Sequence, residues 1–193
     1  GKSKKMAEVS AALYERAIAV MKGSTVLGRF TSLNAEELFN VEYWPLELYK
    51  LTLAPPEAEC SRQVVFITGG AGGIGSQTAR RFIQEGGHVV LADLNVERAQ
   101  QIATDLNRTA GEERAMAVHV DVTDEQLVQS GYREAILNFG GVDAIVNNAG
   151  LATSSPFDKT SLDEWNLNAN VLSTGYFLVA REAFRHMKEQ GIG

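Results

Sequence analysis

The sequence predicts a doubly wound α/β domain with a parallel sheet, preceded by a helical leader. Three observations lead there. From residue 63 onward, four short apolar runs alternate with helix-patterned segments of about ten or more residues, as buried parallel strands joined by crossover helices require. A glycine-rich turn, Gly69-Gly70-Ala71-Gly72-Gly73, separates the first run from its helix. Acidic residues, Asp93 and Asp121, end the second and third runs.

The leader reads as helical. Val9, Leu13, Arg16, Ala17 and Val20 recur at steps of three and four, which predicts a helix over 7–22 with Gly23 as its stop. Asn34 followed by Glu37 has the spacing of a capping box, and Leu38, Val41, Trp44, Leu48 and Leu51 continue an apolar face. Pro45 interrupts that face, so two short helices or a kink are expected. Leu53-Ala54-Pro55-Pro56-Glu57 reads as a stiff linker. The rings of Phe39, Tyr43, Trp44 and Tyr49 read as helical packing against a neighbouring domain rather than as a ligand box.

The remaining elements follow in order. Gln63–Thr68 is the first strand, Ser76–Glu85 its helix, and Gly86-Gly87 the stop. His88–Ala92 is the second strand, ending at Asp93. Asn95–Arg108 is a helix whose apolar side carries Val96, Ala99, Ile102, Ala103 and Leu106. Ala115–Val120 is the third strand. A helix capped by Thr123 or Asp124 runs to Phe139, and Val142–Asn147 is the fourth strand. Thr160 or Ser161 caps a helical stretch from Leu162 to Gln190 with a break near Asn168–Asn170.

Composition narrows the function classes. The 193 residues are 45% hydrophobic and 22% charged, with 18 Gly against 4 Pro, which rules out a collagen, a coiled-coil rod or general disorder. A net charge of −6 argues against general nucleic-acid binding, and Lys2, Lys4 and Lys5 read as a solvated end. The lone Cys60 cannot form an internal disulfide, and no signal segment or membrane-length apolar run is present, so a cytosolic chain is expected. Gly1 in place of Met leads us to expect a start after cleavage, after a tag or within a larger product.

The glycine turn sits where a dinucleotide fold needs it. One glycine makes the tight turn, another lets a pyrophosphate approach the backbone, and the last permits close helix–strand packing. The following helix then presents unpaired N–H groups to the phosphates. A triphosphate loop would need Lys followed by Ser or Thr; here Gly75-Ser76 follows the glycines. Asp93 lies 18 residues beyond Gly75, where it can accept hydrogen bonds from the adenosine ribose and repel a 2′-phosphate. With no Arg or Lys in the turn or directly after Asp93, NAD is preferred over NADP. Asp121 either caps the next helix or touches the adenine edge. Asn147-Asn148-Ala149-Gly150 suits a tight bend near the cofactor.

Together these residues resemble the short-chain dehydrogenase/reductase family. Thr68-Gly69-x-x-x-Gly73-Ile74-Gly75 is similar to its cofactor motif, Asp121-Val122-Thr123-Asp124 to its adenine-side motif, and Asn147-Asn148-Ala149-Gly150 to its fourth-strand motif. The resemblance spans residues 63–193 and implies a Rossmann-type sheet of about four strands, ordered 3-2-1-4. It adds Leu94, beside Asp93, to the cofactor site. The turn also satisfies Thr68-Gly69-x-x-Gly72-x-x-Gly75, the pattern of a sugar-nucleotide-modifying branch, although Asp121-Val122 and Asn147–Gly150 favour the ordinary branch.

The family implies hydride transfer between a nicotinamide and a small alcohol/carbonyl pair, using Tyr, Lys, Ser and Asn. Asn170 matches the Asn, whose implied role is to hold a relay water and shape its helix. No Tyr-x-x-x-Lys occurs: Ala180 follows Tyr176, Ile136 follows Tyr132, and Tyr14, Tyr43 and Tyr49 also lack the spacing. The family's Ser and Tyr-x-x-x-Lys come after a fifth strand, so residues 63–193 are expected to be a cofactor-binding half without turnover. The open edge of the fourth strand and the helix from Leu172 to Met187 imply a homo-oligomer.

Gly23-Ser24-Thr25, Gly28-Arg29-Phe30-Thr31 and the run Phe39–Lys50 resemble the joining segment of bifunctional class II, rhamnulose-phosphate-type aldolase/short-chain dehydrogenases. This implies an upstream aldolase domain, a lactaldehyde-like substrate and a division into leader 1–62 and dehydrogenase 63–193. His88, His119 and His186 are scattered, so no metal site is expected in this chain. Two other readings stay open: a non-catalytic dinucleotide-binding module, and part of a sugar-nucleotide epimerase or dehydratase.

Overall fold

A computed structural model describes residues 4–53 and 56–191. Lys2, the centre of the expected linker (Ala54-Pro55) and Ile192-Gly193 lie outside them. The chain divides into two compact units, residues 4–57 and 58–191, on either side of Glu57.

The first unit holds α1 (Lys4–Leu27), α2 (Ala35–Glu42) and α3 (Pro45–Thr52). Helix α1 does not stop at Gly23. It runs on to Leu27, with the hydroxyls of Ser24 and Thr25 donating to the carbonyls of Met21 and Lys22 one turn back. A single glycine costs about 1 kcal/mol in a helix, which neighbouring turns can absorb. The capping box forms: Glu37 N donates to Asn34 Oδ1 and Asn34 N to Glu37 Oε2, both at 2.9 Å. Pro45 opens α3 and splits the apolar face, while Trp44 before it is extended. Phe39, Tyr43, Trp44 and Tyr49 are each more than half exposed, and of these Phe39 and Tyr43 stack, at 4.5 Å.

The second unit is a four-stranded parallel sheet in the order β3-β2-β1-β4. Its strands are β1 (Val64–Thr68), β2 (His88–Asp93), β3 (Ala115–His119) and β4 (Ala144–Val146). The crossovers are α4 (Gly73–Gln84), α5 (Val96–Ala110) and α6 (Glu125–Phe139). After β4 come a 3-10 turn (Phe157–Lys159), α7 (Leu162–Ala169), a π-helical segment (Asn170–Gly175) and α8 (Tyr176–Gln190). The expected helix break is therefore a widened turn, with α8 following directly. Helix α4 starts at Gly73 rather than Ser76, because the last glycines already adopt helical geometry.

Successive strand residues face opposite sides of the sheet. Val65, Ile67, Val89 and Leu91 pack under α4 and α5 against Ala79, Ile83, Ala99, Ala103 and Leu106. Val64, Phe66, Val90 and Val118 pack under α6 and α8 against Val128, Tyr132, Val179 and Ala183. Phe66 and Tyr132 stack at 4.2 Å, and a side chain at Gly131 would strike Val120 at 2.6 Å. Asn95, Asp124 and Ser161 cap α5, α6 and α7 through their side chains.

Strand β4 is shorter than the sequence predicts and only half-buried. Its neighbours on both sides are claimed by side chains. The Gln190 amide accepts from Val142 N and donates to Val142 O, both at 2.9 Å, and Thr68 takes the amides beyond Asn147.

The Tyr132 hydroxyl donates to Val179 O at 3.2 Å inside this core. Burial raises its pKa well above the ordinary value of about 10, and buried Glu182 adds to the effect. The unfolded chain therefore loses this proton near pH 10 while the folded chain keeps it, so stability falls as pH rises through that value. Tyr132→Phe is expected to cost about 1 kcal/mol at neutral pH. It should also flatten the decline above pH 10, as measured by urea unfolding across pH.

Candidate functional site

A cavity of about 540 Å³ opens at the carboxyl ends of the strands. In this topology the chain turns away in opposite directions from β1 and β4, which leaves a crevice between their following loops.

The glycine turn forms one wall. Gly69 has φ +64° and its carbonyl accepts from Gly72 N at 3.0 Å, while Gly70 N donates to Ala92 O at 3.2 Å. The glycines do different work. A Cβ at Gly75 would sit 2.2 Å from Gly69 O, and one at Gly70 would sit 2.8 Å from Leu91 Cα, so both are demanded by packing. A Cβ at Gly73 would meet nothing within 4 Å. Gly73 lines the cavity together with Gly69, Gly72 and the exposed Ile74. Helix α4 also lacks a side-chain cap, unlike α2, α5, α6 and α7, so no capping side chain satisfies its first N–H groups.

Asp93 and Leu94 form the far end. The Asp93 carboxylate accepts from Ala71 N through Oδ2 and from Asn95 N through Oδ1, both at 2.9 Å. Each oxygen keeps a further lone pair for a ligand. Leu94 is exposed at the rim. Asp121 and Val122 line the same cavity. Asp121 does not cap α6; Asp124 does, through bonds from Gln126 N and Leu127 N. Asp121 Oδ1 instead accepts from the Thr123 amide and hydroxyl.

The third wall is Asn148, Ala149 and Gly150. Thr68, fully buried, holds it. Its hydroxyl accepts from Asn148 N and Ala149 N at 3.0 Å and donates to Asn147 Oδ1 at 3.2 Å. Asn148 Nδ2 donates back to the carbonyls of Thr68 and Gly69, and Asn147 Nδ2 to Tyr176 O. Thr68, Gly75 and Asn147 thus support the wall from behind.

Asn170 opens the π-helical segment and its residue is exposed; it is not among the residues lining the cavity, whereas its neighbour Val171 is. Gly175, at the end of that segment, lets the helix approach Val122, which a Cβ would strike at 2.7 Å. Val120, Leu151 and Val171 line the cavity without having been expected. Val120 and Leu151 could have been found as neighbours of the acidic and Asn-Asn-Ala-Gly motifs; Val171 carries no sequence signal of its own. Among the described residues, no His, Cys, Asp and Glu group could hold a metal ion. No helix among them is long and apolar enough to cross a membrane.

Residues 63–193 match the family model described as short chain dehydrogenase. The chain belongs to that family. A second model, class II aldolase, second domain, matches residues 1–51. The chain is 68% identical over 193 residues to "Uncharacterized oxidoreductase YuxG" of Bacillus subtilis (strain 168), covering all of this chain and 28% of that protein. It is 38% identical over 125 residues to meso-2,3-butanediol dehydrogenase of Serratia marcescens, covering 65% of this chain and 48% of that one. Among solved structures, 3-ketoacyl-(acyl-carrier-protein) reductase from Brucella melitensis, complexed with NADH, aligns with a TM-score of 0.63 at 30% identity. That alignment covers 68% of this chain and 52% of the reductase. This short-chain dehydrogenase chain therefore spans about half the length of the smaller relatives and under a third of the larger one.

The contrast between the glycines is testable. Gly75→Ala is expected to lose at least about 3 kcal/mol, because the clash is with backbone that cannot swing aside. Gly73→Ala is expected to leave stability unchanged or to raise it by up to about 1 kcal/mol. Chemical unfolding of both variants measures the difference.

Proposed function

We propose that residues 63–193 form the cofactor half of an NAD-dependent short-chain oxidoreductase. The observation that carries this reading is the pairing of open space at Gly73, beneath the uncapped start of α4, with the Asp93 carboxylate at the far end of the same cavity. A pyrophosphate fits where Gly73 leaves room, and a ribose fits against the free lone pairs of Asp93. That carboxylate disfavours a 2′-phosphate, so NAD is preferred over NADP. Asp121 and Val122 flank the adenine, and Asn148, Ala149 and Gly150 border the nicotinamide side. A bound nicotinamide supplies the hydride acceptor or donor for an alcohol/carbonyl pair.

Asn170 serves to hold a water of the proton relay; the π-helical segment that begins there supports a shaping role. The chain has no Tyr-x-x-x-Lys, so the proton-transferring Tyr and Lys and the positioning Ser come from residues of a longer polypeptide. Residues 1–62 join this half to an upstream class II sugar-phosphate aldolase, a reading supported by the match over residues 1–51. The substrate is then a small hydroxy-aldehyde of the lactaldehyde class, such as an aldolase acting on rhamnulose phosphate releases. The single free Cys60 suits a cytoplasmic setting. The exposed Leu172, Tyr176, Phe177 and Phe184 and the open edge of β4 suit a homo-oligomer.

Calorimetry on the 193-residue chain should show NAD binding more tightly than NADP, and Gly73→Ala should weaken NAD by about tenfold or more while the fold is kept. The longer polypeptide should turn over lactaldehyde with NAD. Absence of nicotinamide-dependent turnover with lactaldehyde and related alcohols would remove the substrate assignment. Light scattering should give a mass of two or more 21.0 kDa chains, and a mass of one chain would count against the oligomer.

A further inference from the structure

We propose that Asp93 is a positioning residue that braces the glycine turn in its receiving shape before any cofactor arrives. This rests on the cofactor reading above but concerns the turn's own backbone. Residue 93 joins three segments. Its Oδ2 accepts from Ala71 N in the middle of the turn, its Oδ1 from Asn95 N at the entry to α5, and its carbonyl from Val120 N beyond β3. The bond to Ala71 spans 22 residues and ties two loops that share little else.

The turn needs such a tie. Its other ties to neighbouring segments are Gly70 N to Ala92 O and Asn148 Nδ2 to Gly69 O, both at 3.2 Å. Four of its five residues, Gly69 through Gly73, are glycines, so its backbone has unusual freedom to lose on ordering. Ala71 is 3% exposed, so its N–H is best satisfied by a protein acceptor. An ionised carboxylate is the stronger kind of acceptor.

The consequence concerns specificity. Removing the carboxylate relieves repulsion of a 2′-phosphate, but it also frees the turn on which either pyrophosphate must sit. Asp93→Ala therefore loses NAD without gaining NADP. Asp93→Asn keeps one carbonyl acceptor on the same frame, so it holds the turn better than Ala and accepts NADP better than Ala does.

Amide hydrogen exchange by NMR on the cofactor-free 193-residue chain reads the brace directly. Asp93→Ala should raise exchange at Ala71 and Gly72 about tenfold or more, with Asp93→Asn intermediate and the core strands unchanged. Unchanged exchange at Ala71 in Asp93→Ala overturns the proposal, as does a gain in NADP affinity for that variant over the unmodified chain. If Asp93→Ala does not fold, Asp93→Asn decides alone: wild-type exchange at Ala71 together with reduced NADP affinity overturns the brace. If the unmodified chain binds neither dinucleotide, the cofactor reading fails, while the exchange result still judges the brace.

Discussion

The hydroxyl of Thr68 is a small group with three hydrogen-bond partners and no access to water. It stands at the last position of β1, a strand with neighbours on both sides. From there it fixes the loop after β4 by accepting two successive backbone amides. Asn148 returns the link by donating to Thr68 O and Gly69 O. A parallel sheet has no short hairpin to hold its strand ends together. This cross-strand stitch does that work, and it joins the glycine-turn wall of the cavity to the Asn148–Gly150 wall.

The two apolar faces explain why the stitch can be rigid. Residues 64 to 68 are all fully buried, with alternate side chains committed to the α4/α5 layer or the α6/α8 layer. A slip of one position would exchange those layers. The polar atoms at the strand ends are thereby delivered to a defined height, where the glycine turn meets them. Gly75 completes the contact, since its missing Cβ allows the start of α4 to lie on Gly69 O. Packing and hydrogen bonding thus converge on a helix start that no side chain caps.

The first unit follows a different economy. Its helices are begun well, by a reciprocal capping box at Asn34 and by Pro45, but their apolar side chains remain exposed. Local signals suffice to start a helix, whereas enclosing a face needs another layer. The match of residues 1–51 to an aldolase domain model gives that segment a kinship separate from the dehydrogenase family.

Much of the architecture was legible from residue order. Apolar runs bounded by Gly and Asp identified the four strands, and Asn34, Asn95, Thr123 or Asp124, and Thr160 or Ser161 marked helix starts, because these signals act over a few residues. The glycine turn, Asp93, Asp121 and Asn147–Gly150 were legible as one site because a doubly wound sheet must bring strand ends together. Sequence alone did not separate Gly73, which faces open space, from Gly75, which faces a carbonyl; that depends on the folded path of the turn, which lays Gly69 O against Gly75 with Asn148 Nδ2 beside it. Nor did it reveal the early end of β4, the continuation of α1 through Gly23, or the link from Asp93 to Ala71. Those were decided in three dimensions, where side chains such as Gln190 and Thr68 compete with strand pairing for the same backbone groups.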